Sequence, residues 1–135
     1  MTTSPQAERT ARRIQIALAL VFLVLGGWCL ATPHMVERLV LRPEHQHLTA
    51  ASAVWVGCFG AQAVLGGIVI ATSRFTARTF LIFGLCASLP FFVFNYYFYF
   101  VAEMFTDWML LDFVGNTIIL ACGLLGWRTL RAGAA

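Results

Sequence analysis

The chain contains no lysine, and charged residues of any kind make up only 11 % of its 135 residues. A soluble domain of this length carries about 25 %. So thin a supply of charge cannot coat a folded surface, and lipid must act as the solvent for much of the molecule. Cysteine is sparse too, and no CxxC pair occurs. Cys29, Cys58, Cys86 and Cys122 each fall in a different apolar run. That distribution excludes the loop-borne disulfide framework of a small secreted domain and leaves them as small apolar side chains. The basic residues are nine arginines in short, separated clusters, which argues against nucleic acid as a partner. No catalytic or metal-binding motif stands out.

What is present is hydrophobic: 60 % of the residues are apolar and the mean hydropathy is +0.80. Four apolar runs cover residues 14–31, 48–72, 79–101 and 108–127. Each comes close to or exceeds the ~20 residues a helix needs to cross ~30 Å of hydrocarbon. Apolar residues are continuous rather than alternating, which excludes a barrel. The expected fold is therefore all-α: a transmembrane four-helix bundle of antiparallel up-down topology. A polar cytoplasmic tail, residues 1–13, is expected to be disordered. Residues 14–131 form one domain, and 132–135 a short second tail. The first run is too long for the core of a signal peptide, and Trp28 suits a cleavage site poorly, so it reads as an uncleaved span.

Orientation follows from the arginines. Arg9, Arg12 and Arg13 precede the first run, Arg74 and Arg78 separate the second from the third, and Arg128 and Arg131 follow the fourth. With alternating spans these seven of nine fall on one side. The other side holds Arg38 and Arg42 with Glu37, Glu44, Glu103, Asp107 and Asp112. The positive-inside rule then puts both termini in the cytoplasm of, most simply, a bacterial cytoplasmic membrane. Trp28, Trp108 and Trp127 lie at run ends, where an aromatic belt belongs.

Small residues let membrane helices approach closely. Ala53, Gly57 and Ala61 recur at i+4 in the second run, and Cys122 and Gly126 do so in the fourth. This predicts the second span as the central packing helix. Pro90 removes one backbone donor and should kink the third span. Residues 91–100 after it are eight parts in ten aromatic, which suits lipid-facing bulk or a wall for a flat ligand.

Polar residues within the runs are the candidate site. Asn95, Tyr99 and Glu103 are spaced i, i+4, i+8, and Asp112 and Asn116 are spaced i, i+4. An ionisable group inside a span marks a site or a structural pairing. Asn95, Tyr99, Asp112 and Asn116 are expected to point into the bundle and meet in its outer half. His45 and His47 are i, i+2, so they cannot clamp a metal from one helix face. A single axial haem ligand, His47, is the most they offer.

Pro33 closing the first span, the glycine-rich stretch GCFGAQAVLGG, the basic turn SRFTAR and a fourth span opening LDFVGN together resemble the DoxX-like group of small four-helix bacterial membrane proteins. The resemblance covers nearly the whole chain and implies a protein associated, in some members, with membrane oxidoreductase complexes. A fainter likeness is to styrene oxide isomerase, a four-span haem protein, through a His at the start of the second span and the Asn95–Tyr99 spacing. Three functions stay open. One is an accessory or scaffold subunit that binds a second copy or another membrane protein. The second is a binder of a small apolar or quinone-like ligand, and the third a haem or redox enzyme. No cofactor is demanded by any motif; haem or quinone belongs to the last two readings.

Overall fold

The computed structural model describes residues 4–133, and these are helical apart from turns and one isolated β-bridge. The helices are α1 (Pro5–Ala31), α2 (Pro33–Val40), α3 (Ala50–Thr72), α4 (Ala77–Cys86), α5 (Leu89–Tyr96) and α6 (Leu110–Ala132). Four stretches are long and apolar enough to cross a membrane: Pro5–Ala31, Ala50–Thr72, Ala77–Val101 and Asp107–Ala132. Large apolar side chains such as Val24, Trp55, Leu65 and Val93 are exposed along them. That inside-out surface suits lipid.

The polar start of the chain departs from the expected disordered tail. Ser4 caps α1 by accepting from Ala7 N, Pro5 sits in the first turn where its missing donor costs nothing, and residues 5–13 are helical. Ser4 N also donates to Gly133 O at 3.1 Å, tying the two ends of the chain together. Residues 1–3 and 134–135 lie outside the described residues.

Helix packing also differs from the sequence expectation. α1, not α3, is the central element, with α3 on one side and α6 on the other, and α4 packs against α6. The close-approach face of α3 is not Ala53–Gly57–Ala61: a Cβ added at Gly57 meets nothing within 4 Å, and Ala61 is exposed. The buried face lies about a quarter-turn away, at Gly60, Ala63 and Gly67. A Cβ at Gly60 would lie 2.6 Å from Gly26 O, and one at Gly26 only 2.7 Å from Ala63 Cβ. The partner glycine on α1 fixes the register, and spacing within α3 cannot reveal it. Gly84 and Gly123 bring α4 and α6 equally close, since a Cβ on Gly84 would stand 2.7 Å from the Gly123 Cα. Gly126 accommodates the Phe80 ring. Leu18, Ala19, Ile70, Ile119 and Cys122 form the core, flanked by the edge-to-face ring pairs Phe22–Phe83 and Phe75–Phe80.

The third span is broken rather than kinked. α4 ends at Cys86, and Ser88, fully buried, returns its hydroxyl to Gly84 O at 2.5 Å. Pro90 then stands in the first turn of a new helix, α5, where no donor is missed. At its far end α5 widens into a π-turn, Tyr97–Val101, with Ala102 N donating to Tyr97 O.

Candidate functional site

Two polar constellations are built at the end of the bundle opposite the termini. The first lies between α5 and α6. Asn95 and Asn116, only 3 % and 4 % exposed, each donate a side-chain N–H to the same oxygen, Asp112 Oδ2, at 2.7 Å. Asp112 and Asn116 face together because they are one helical turn apart, and Asn95 meets them from the neighbouring helix. Both amide donors are committed to the carboxylate. Asn95 Oδ1 is left buried and without a hydrogen-bond partner, the one such side-chain atom among the described residues.

Tyr99 does not join this group. Its hydroxyl donates to Asp107 Oδ1 at 2.6 Å, outside the core. Glu103 leaves the helix altogether, adopts φ 50°, and pairs with Arg42 at 3.1 Å. The cause is the π-turn: an extra residue in the turn advances everything after Asn95, so i+4 spacing no longer means a shared face. Tyr99 nonetheless lines a cleft of about 130 Å³, together with Asn95, Phe100, Met109, Leu110 and Phe113. Apart from Asn95 and Tyr99 its walls are apolar. Asp112 and Asn116 stand behind Asn95 and do not line it.

The second constellation was not legible in the sequence. The connection between the first two apolar runs contains the amphipathic helix α2, which buries Val36 and Glu37. The Glu37 carboxylate accepts from His47 N at 2.8 Å, Leu48 N at 2.9 Å and the Ser52 hydroxyl at 2.6 Å. Leu48 is thereby held at φ 49°, a left-handed conformation that a leucine rarely adopts. Burial pushes the Glu37 carboxyl up, but the Ser52, Leu48 and His47 bonds and the nearby His34 together outweigh it, and the group ends below the ordinary carboxylate range. Thr106 and Arg42 stitch this segment to the last connection: Arg42 N donates to Met104 O at 2.9 Å and Thr106 N to Val40 O at 2.8 Å. The only foreshadowing was Thr49-x-x-Ser52, a reciprocal cap for α3.

His47 sits beside this clamp with its side chain exposed, away from the cleft. Among the described residues, no group of three or more His, Cys, Asp or Glu is placed to hold a metal ion. The α5–α6 cleft is an apolar slot, and one of the residues lining it, Asn95, carries a buried side-chain acceptor with no partner. Comparison of the chain with family models, with curated proteins and with solved structures gave no match.

Proposed function

We propose that the chain is a four-span membrane protein of the cytoplasmic membrane that binds a small apolar ligand carrying a hydroxyl or N–H group, in the outer half of the bilayer between α5 and α6. The observation that carries this is Asn95 Oδ1: a buried acceptor without a donor, on a residue that lines an apolar cleft. Leaving such an acceptor unmatched costs about 1–3 kcal/mol, and a ligand donor removes that cost. The volume, about 130 Å³, is near the ~150 Å³ that accommodates a single benzene ring. The donor requirement turns the quinone expectation round, since a quinone brings only acceptors. A phenol or the reduced, hydroxylated ring fits instead. The resemblance to DoxX-like proteins supports work beside membrane oxidoreductases, where such rings are handled.

4-Methylphenol and 1,4-dimethylbenzene share one shape and differ by a hydroxyl. Calorimetric titration of the detergent-solubilised protein should show the phenol binding about tenfold more tightly, after correction for partition into the micelle. Asn95→Leu should abolish that preference. Equal binding of the two rings by the native chain defeats the reading.

The antiparallel arrangement is supported by the end-to-end pairings Ser4 with Gly133, Arg12 with Ser73 and Asn95 with Asp112. The cytoplasmic placement of the termini rests on the arginine distribution. With the native cysteines replaced by alanine, Glu44→Cys should react with an impermeant thiol reagent added to intact cells, and Ala132→Cys should not. The opposite pattern would reverse the orientation.

A second reading, an accessory subunit that binds another helix, has its own observation. Gly57 and Ala61 lie off the packed face of α3, and Gln62, mid-span, is exposed and makes no hydrogen bond among the described residues. A polar side chain facing lipid favours a partner helix, from a second copy or another membrane protein.

A further inference from the structure

The opposite end of the bundle carries a second recess, unrelated to the α5–α6 cleft. It has a volume of about 920 Å³ and lies between the first turns of α1 and the turn that joins α3 to α4. Arg9 and Arg12 line one wall and Arg74 the other, with the Thr76 hydroxyl between them already engaged with Thr79. Glu8 is the one carboxylate among the described residues of the lining.

Arg12 is oriented before any ligand arrives. Its guanidinium donates to Ala71 O at 2.6 Å and Ser73 O at 3.3 Å, the carbonyls that α3 leaves open at its C-terminus. Gln15, 3 % exposed, adds donors to Ile70 O and to Ser73 O at 2.8 Å. These bonds close the end of α3 and fix one cation in the floor of the recess. Arg9 donates to Gln6 on its own helix at 3.0 Å, and Arg74 is exposed. Two exposed forks thus flank one anchored fork, an arrangement suited to the oxygens of a phosphate. Phe75, Ala11 and Leu130 complete the lining with apolar surface, level with the end of a span.

We propose that this recess binds a phosphate group, and its mixed lining favours the headgroup of an anionic phospholipid over a free phosphate ion. Basic pockets at helix ends hold such headgroups, each arginine near the surface strengthening binding by roughly fivefold. The apolar side of the recess then receives the glycerol and the start of the chains.

The test is thermal unfolding of the full chain in detergent, titrated with short-chain phosphatidylglycerol, short-chain phosphatidylcholine or sodium phosphate. Phosphatidylglycerol should raise the melting temperature saturably, and phosphatidylcholine should do so little. The double variant Arg9→Gln/Arg74→Gln, which leaves the Arg12 bonds in place, should melt like the native chain without lipid. It should need roughly 25-fold more phosphatidylglycerol for the same effect. Arg38→Gln, at the other end of the bundle, should titrate as the native chain does. A saturable response to sodium phosphate that the double variant loses would support the site with the free ion as its occupant. Equal responses to the two lipids, or a double variant that titrates like Arg38→Gln, would overturn the proposal.

Discussion

Gly60→Ala should lower the stability of the detergent-solubilised protein by about 1–3 kcal/mol relative to Gly57→Ala. Both changes gain the same helix propensity, so the difference isolates packing. At Gly57 the new methyl enters open space. At Gly60 it lands 2.6 Å from Gly26 O and 2.9 Å from the Cys29 carbonyl carbon. These are backbone atoms of a neighbouring helix, with no rotamer to give way, so α1 and α3 must part. Overpacking of this kind costs about 1–3 kcal/mol, occasionally more, and in lipid no hydrophobic drive holds the separated helices together. Chemical unfolding of the two variants side by side measures the difference. Equal midpoints would mean that α1 and α3 do not meet through Gly26 and Gly60.

Glu37→Gln should be the most damaging change outside the spans, lowering stability by about 2–4 kcal/mol near neutral pH. The carboxylate accepts two backbone N–H groups and one hydroxyl, holds Leu48 at positive φ, and so sets where α3 begins. An amide keeps one acceptor oxygen and presents a donor where Ser52 or the backbone also donates. The effect has a pH signature. Because the folded-state pKa is depressed, the contribution is fully present above the ordinary carboxylate value of 4.5. It is lost as pH falls through the lower folded value. Native and Glu37→Gln unfolding curves should therefore stay apart from pH 7 to about 5 and converge in more acidic solution. A gap that persists unchanged into strong acid would show that the charge of Glu37 is not what holds the connection.

The four spans were legible because each is an unbroken apolar run and the bilayer fixes its minimum length. The pairing of Asp112 with Asn95 and Asn116 was legible for a related reason: few polar groups lie inside the spans, and they satisfy one another more cheaply than lipid can. Tyr99 was misplaced because the π-turn after Asn95 leaves no mark in an aromatic run where every residue tolerates every helix geometry. The face of α3 was misjudged because Gly57, Gly60, Gly66 and Gly67 allow several overlapping stripes, and only Gly26 on another helix chooses among them. Glu37 counted in the sequence only as one of the acids on the outer side, because its partners are mostly backbone N–H groups, which carry no residue identity. The early helix start at Pro5 was hidden by polar residues that resemble a tail. Ser4 followed by Pro5, with Glu8 in the first turn, was the available signal.

Asn95 and Asn116 are the only asparagines in the chain, so asparagine labelled with carbon-13 at Cγ gives two carboxamide signals that Asn95→Leu assigns. Asn95 Oδ1 is the free acceptor, while Asn116 stands behind it on Asp112. In lipid nanodiscs, 4-methylphenol should shift the Asn95 signal saturably and leave that of Asn116 nearly still, and 1,4-dimethylbenzene should shift neither in that way. An Asn95 signal that responds to both rings alike, or to neither at saturating phenol, would contradict a donor-selective ligand site between α5 and α6.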